Sequence, residues 1–326
     1  MRNPRTLASG ALLTCAALAL SSCGLFGGDS DGSDASRTTV PSSTTTTSTT
    51  LPKPATDLLT PGAAPRRVLQ VALTPGVTTL ALTTDIDVTQ RASGTTATVP
   101  SPAVRELVTF TVGPVTNGTA EVSFLIKSAA VVRANTDLTD AQVASVNEAY
   151  AALVGIGGTG QLDTQGHLTG FTYQSPATVP PELRTYLDKV QDQFQDLTVP
   201  LPTEAVGVGA QWRSTRTVVS SGVNIAQETT YTVTSLSDTA MGYTSVVTQT
   251  AQDQAMDLPT LSTGTTTRLV SARLTGQAAG TTGFTSLAIT AHASSKGTQV
   301  LDLTTNGKTQ RLTQDLAVTT DVAPAP

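Results

Sequence analysis

Val77-Thr-Thr-Leu80-Ala-Leu82-Thr-Thr-Asp85-Ile86-Asp87-Val88 decides the fold class. Leu80, Leu82, Ile86 and Val88 fall on one side of an extended chain; Ala81, Thr83, Asp85 and Asp87 fall on the other. Successive strand side chains point to opposite faces, so a period of two marks a strand buried on one side. Thr84 interrupts the apolar side. Arg105 to Val112 repeats the pattern with Val108, Phe110 and Val112. Asn117-Gly118 is a hairpin signal, and beyond it Ala120, Val122, Phe124 and Ile126 oppose Glu121, Ser123 and Lys127. Such alternation belongs to antiparallel strands packed on one side.

Working outward, Pro75-Gly76 turns into this strand from a shorter one at 68–73. Two helices are expected. Thr139 with Gln142 three residues on resembles a capping box, and Val143, Val146, Tyr150, Leu153 and Val154 form one apolar stripe. Gly155 is placed to end that helix. A second helix starts at Pro181, with Leu183, Tyr186, Leu187, Val190 and Phe194 as its stripe. Between them a hairpin turns at Gln165-Gly166. After Pro202 the chain reads as strands near 211–220, 225–235, 242–250, 265–274, 284–293, 299–305 and 310–320, punctuated by Gly222, Gly264, Gly283, Gly297 and Asn306-Gly307. The expected fold is α+β and mostly β: one large, curved, half-barrel-like antiparallel sheet, with helices 139–154 and 181–195 on its apolar face. A β-sandwich is the runner-up.

Composition bounds the partners. Charged residues are 13% and aromatics 4%, and the net charge is -5. Acidic balance without basic clusters argues against nucleic acid as a partner. Met1 to Arg5 is basic, an apolar run of about 13 residues follows, and Leu20-Ser-Ser-Cys23 closes it. Basic start, apolar run and small residues make a secretory signal. No run reaches the ~18–20 residues of a membrane span. Leu20-Ser-Ser-Cys23 resembles the lipobox of bacterial lipoproteins. That resemblance implies a signal peptide over 1–22, a lipid on Cys23, and a protein held on the outer face of the cell membrane. Cys15 leaves with the signal and Cys23 is used by the lipid, so no disulfide or thiolate metal site is expected. Residues 23–65 read as the lipidated Cys and a tether rich in Ser, Thr and Pro, too polar to offset chain entropy. A single folded domain over 66–322 and a tail over 323–326 complete the division.

Signals for chemistry are weak. Gly155-Ile-Gly157-Gly158-Thr-Gly160 matches a dinucleotide fingerprint, but a helix precedes and a strand follows, the reverse of what pyrophosphate binding needs. It reads as a helix cap and loop. His167 and His292 lack motif neighbours and read as surface residues, and Asp85 with Asp87 reads as a solvated strand face. Asn117-Gly118-Thr119 reads simply as a turn. Trp212, the only Trp, reads as a core anchor. No catalytic residue, cofactor or metal site is assigned.

One further resemblance rests on the order of segments. A Pro75-Gly-Val-Thr turn leads into a long strand; a Gly160-Gln-Leu-Asp163-x-x-Gly166 hairpin follows; then come Leu201-Pro202 and Val206-Gly-Val-Gly-Ala-x-Trp212. This is similar to a family of uncharacterised bacterial surface lipoproteins and, more distantly, to LolA-like and LprG-type lipoprotein lipid carriers. The distant resemblance implies an apolar cavity between sheet and helices. The expected lining is Leu80, Leu82, Phe110, Val122 and Phe124 from the sheet, with Val146, Tyr150, Leu183 and Leu187 from the helices. The expected function is non-enzymatic binding or carriage of a lipid-like ligand; the alternative is an interaction module for another envelope protein.

Overall fold

The computed structural model describes residues 45–49, 53–99, 101–133, 138–175, 197–220, 222–256 and 265–325. In chain order the N-terminal elements are β1 (Thr45–Thr49), β2 (Ala55–Thr60), β3 (Arg67–Val68), β4 (Gly76–Ala92), β5 (Thr95–Val99), β6 (Val104–Thr116), β7 (Thr119–Val131), α1 (Asp140–Ala151), β8 (Gly157–Asp163) and β9 (Leu168–Ser175). The rest are β10 (Ala205–Val206), β11 (Gln211–Ser220), β12 (Val223–Leu236), β13 (Ala240–Ala251), β14 (Gln254–Met256), β15 (Thr265–Gly283), β16 (Ile289–Thr305) and β17 (Lys308–Pro324). All strands but β3 and β10 join one antiparallel sheet of 15, ordered β1-β9-β8-β7-β6-β4-β17-β16-β15-β13-β12-β11-β2, with β5 beside β4 and β14 beside β15. The sheet is a single open path, so the sandwich arrangement is not the one adopted. The two-stranded β3–β10 pair stands apart.

Local chemistry sets the turns. Asn117 and Gly118 take φ of 52° and 78°, and Asn306 and Gly307 take 51° and 73°. Left-handed conformations at both central residues are what two-residue hairpins need. Thr139 caps α1, and its side chain and that of Gln142 form both halves of the capping box. Val143, Val146 and Tyr150 are the buried residues of α1. Among the described residues α1 is the single helix element; the expected second helix, 181–195, lies outside them.

Three expected boundaries change. Residues 55–60, expected within the tether, form β2 and pair with the edge strand β11. Leu58 packs on the core around Trp212, and Asp57 meets Arg213 at 3.1 Å. Residues 68–73 are not a strand beyond Val68. Their amides go instead to loops, Val71 N to Thr164 O at 2.7 Å and Ala72 N to Phe284 O at 2.7 Å. Gly297 and Gly283 are expected to punctuate strands. Gly283 does so, as the last residue of β15, whereas Gly297 lies inside β16, where a Cβ would stand 2.1 Å from Arg273 O. The residue is small because the neighbouring strand is close, not because the chain turns.

The sheet's ends are linked by sequence. β1 pairs with β9 at one end and β2 with β11 at the other. Thr49 and Ala55 are six residues apart, a span of at most ~21 Å. The two edges are therefore drawn within that distance of each other, which a flat sheet of thirteen strands in a row does not permit.

Limited proteolysis tests the revised boundary. The resistant core is expected to begin before Ala55. A core beginning at Arg66 that retains full thermal stability would show that β2 contributes nothing to the sheet.

Candidate apolar ligand site

The described residues of the expected lining come together. β4 and β6 pair Leu80 with Val108, β6 and β7 pair Phe110 with Phe124, and Val112 faces Val122. These registers put all of them on one face. Leu80, Phe110, Phe124, Val146 and Tyr150 belong to one buried cluster, with Leu82 and Val122 half-buried against it. Leu183, Leu187 and Cys23 lie outside the described residues. Of the inward positions on β4, β6 and β7, only Glu106 carries an ionisable side chain; it is 7% exposed and opposite Leu82.

The gap under α1 is filled. Leu153 and Ile156, just beyond α1, are fully buried in the cluster. A Cβ on Gly158 would stand 2.6 Å from the Phe124 ring, so that ring rests on β8 itself. The open space lies to one side. A cavity of about 30 Å³ is lined by Leu80, Phe110, Val122, Leu162, Leu168, Leu197, Thr198, Leu287 and Ile289. A second, about 20 Å³, shares Leu162, Leu197, Thr198, Leu287 and Ile289 with it. One water needs ~10–15 Å³ by this measure, so each space holds a water or two and not an acyl chain. The residues dividing the two spaces include Leu197 and Thr198, which come from a connecting segment and not from the sheet.

Beside the second cavity sits a polar cluster that the sequence did not reveal. His167, expected at the surface, is 2% exposed. Its Nδ1 lies 3.0 Å from Asp163 Oδ2, and since an ionised carboxylate only accepts, Nδ1 carries the proton. Asp163 Oδ1 also accepts from the Gln165 and His167 amides, both at 2.9 Å. Lys53 Nζ donates to Asp163 Oδ2 at 3.2 Å and to Gln165 Oε1 at 2.8 Å. Burial pushes the Asp163 carboxyl up, but the hydrogen bonds and charge of His167 and the Gln165 amide outweigh it and hold it below its usual range. Burial pushes the His167 imidazole down, more than Asp163 raises it. The signal in the sequence was Asp163-x-x-Gly166-His167: a carboxylate folding back on a tight turn.

The other candidates sort as expected or sit apart. His292 is exposed, with Nδ1 2.7 Å from Asp321 Oδ1. Asp85 is half-buried and Asp87 exposed on the outer face; burial and then the Asp87 charge raise the Asp85 pKa. Gly155, at φ +88°, follows α1, and β8 begins at Gly157, so the glycine run is a helix exit. Trp212 is fully buried, donates Nε1–H to Pro200 O at 2.8 Å, and stacks on Tyr231 with centroids 5.5 Å apart. Among the described residues no three His, Cys, Asp or Glu side chains gather as metal ligands would.

A pair of variants tests the hairpin's seating. Gly166 and Gly94 both hold left-handed backbone, φ +78° and +80°. A Cβ on Gly166 would stand 2.6 Å from Val199 O, whereas one on Gly94 meets nothing within 4 Å. Gly94→Ala is expected to cost about 1 kcal/mol, the penalty of its backbone alone. Gly166→Ala is expected to cost a further ~1–3 kcal/mol for the overlap. Equal losses in urea unfolding would mean that the hairpin does not rest on Val199.

Comparison with protein-family models finds none that matches the chain, and none of the curated proteins is significantly similar to it, so its function is argued from the site itself.

Proposed function

We propose that this chain is a membrane-anchored extracytoplasmic lipoprotein, non-enzymatic, that binds an apolar, lipid-like ligand against the inner face of its sheet. One observation carries the reading. An almost wholly apolar cavity lies against Leu80, Phe110 and Val122, on the face that the alternation of β4, β6 and β7 singles out. The half-barrel curvature and the expected second helix, 181–195, would enlarge the apolar enclosure around it. The lipid on Cys23 would hold the protein at the outer face of the membrane, where acyl ligands are met. The cavity of about 30 Å³ is too small for such a ligand as it stands. Binding therefore requires Leu197 and Thr198 to leave their seats, so the site is filled by displacement and not by entry into a standing void.

The small cavity is also the observation that favours a second reading. A core closed to this degree suits a module that presents its surface to another envelope protein. Uptake decides between them. Wild-type protein is expected to bind a fluorescent fatty acid saturably, in competition with unlabelled fatty acid. If no apolar probe is taken up under any condition, the carrier reading fails and the interaction module stands.

The anchor has its own test. Cys23→Ala is expected to move the protein from the membrane to the soluble fraction, because each buried lipid CH₂ contributes ~0.8 kcal/mol to anchoring. Sedimentation of the variant with membranes would contradict the lipobox reading.

A further inference from the structure

The β8–β9 hairpin tip closes the molecule without strand pairing. Its backbone touches two connecting segments. Val71 N donates to Thr164 O at 2.7 Å, and Leu201 N donates to Gln165 O at 2.8 Å. Gly166 lies so close to Val199 that no Cβ fits between them. Leu197, Val199 and Leu201 from the second segment line the smaller cavity, and Leu197 lines both. Whatever seats the tip therefore also seats the residues that fill the apolar space.

Inside the tip lies a buried imidazole that no chemistry described above uses. His167 Nε2 is buried and has no hydrogen-bond partner among the described residues. Asp163 faces the ring from β8, and Lys53 faces the same carboxylate from the segment before β2. Gln165 from the tip is uncharged. The surrounding segments 69–73, 197–202 and 282–287 contain no ionisable residue.

We propose that this hairpin tip is an acid-released latch over the apolar cavity: a proton taken from solvent at His167 Nε2 loosens the tip from Val71 and from residues 199–201. The consequence for ligand rests on the carrier reading; the latch itself does not. A proton on Nε2 creates a charged N–H group in a buried position with no acceptor, which is costly. Release into water removes that cost. Burial opposes the imidazolium, and Lys53 adds to that; together they outweigh Asp163, which favours it, so the folded His167 binds its proton less readily than a free one. The sign follows. The closed latch is at full strength above about pH 6.5, the ordinary imidazole value, and weakens as pH falls below it towards the lower folded value.

Hydrogen exchange on the full chain, without ligand, tests this. Corrected for intrinsic exchange, protection of the Val71 and Leu201 amides is expected to fall as pH is lowered from about 7.5 to about 5. The Leu301 amide, in the middle of the sheet, is expected to hold. His167→Asn keeps a donor for Asp163 but has no ring to protonate, and should abolish the fall. Unchanged protection in the wild type, or the same fall in His167→Asn, overturns the latch. If His167→Asn does not fold, the ring nitrogen shifts of wild-type His167 decide: imidazole titration and amide opening must share one midpoint, and separate midpoints overturn the proposal. Release of a bound fluorescent fatty acid at that midpoint extends the latch to the ligand. A protein that takes up no probe yet opens with acid refutes the carrier and leaves the latch standing.

Discussion

Everything in this structure depends on how a long, open antiparallel sheet brings its two ends together. Strand pairing does not close it. Two other devices do. The chain from Thr45 to Thr60 lies along one edge as β1 and along the other as β2, so a handful of residues spans what the sheet must curve to bridge. The β8–β9 tip then docks on the connecting segments that run beneath the far end. β9 and β11 are thereby covered, and β1 and β2 become the outermost strands of the sheet. The segment that leads back to the expected lipid anchor thus supplies both of its edges.

The loose motifs noted in the sequence converge on this closure. Gly160–Gly166 is the hairpin that docks. Residues 199–202 receive it: Leu201 donates to Gln165, and Pro200 supplies the carbonyl that Trp212 binds. Gly207 lies where a Cβ would stand 1.9 Å from Ala63 O, so backbone meets backbone there. Trp212 stacks on Tyr231 beneath, with centroids 5.5 Å apart, and Tyr243 meets Tyr231 edge-on at 6.0 Å. Residue types that looked like fragments of a signature are accounted for by close packing. Leu162, Gly166, Val199 and Leu201 among them border the smaller cavity.

Much of this was legible because the physics is local. A period of two over Val77–Val88 gave the strand, its buried face and half of the site. The Asn-Gly pairs gave their turns, and Thr139 with Gln142 gave the start of α1. What failed to show depended on distant neighbours. The segment Ala55-Thr-Asp-Leu-Leu-Thr60 is too short and polar to announce a strand; it becomes one because β11 offers an edge. Gly297 resembles a break until its neighbour Leu274 is seen lying against it across β15 and β16. His167 looked solvated because nothing in its flanks reveals that Val199 and Leu201 close over the tip. Leu80, Phe110, Phe124, Val146 and Tyr150 share one cluster, with Leu82 and Val122 against it, yet the space among them is small, because Phe124 lies on a glycine of β8 and segment 197–198 borders the remainder.

The inner face also carries a polar row that bears on why the sheet holds one register. Gln90, Gln314 and Gln299 face one another across β4, β17 and β16, and Gln299 Nε2 donates to Gln314 Oε1. On β12 and β13, Gln249 Nε2 donates to Gln227 Oε1 at 2.6 Å. All five are at most 8% exposed. Gln90, Gln299 and Gln314 lie between an apolar cluster around Leu301 and another around Leu316; Gln227 and Gln249 lie between the Leu301 cluster and the one around Trp212. Inward positions along these strands are mostly Leu, Ile, Val, Ala and Thr of similar size, so apolar burial alone discriminates poorly between registers two residues apart. An amide is less forgiving. Shifted by two, Gln227, Gln249, Gln299 and Gln314 lose the partners they hold and keep a buried, unmet hydrogen-bonding group, at about 1–3 kcal/mol each; Gln90 Nε2 has no hydrogen-bond partner among the described residues in the register adopted. Shifted by one, each Gln turns outward and carries a flanking residue inward in exchange, Ala226 or Glu228 beside Gln227 and Thr313 or Asp315 beside Gln314. Hydrogen-bonded glutamines thus set the register that a Thr-rich, aromatic-poor interior leaves loosely specified, and that register places Leu80 beside Phe110 and Val122.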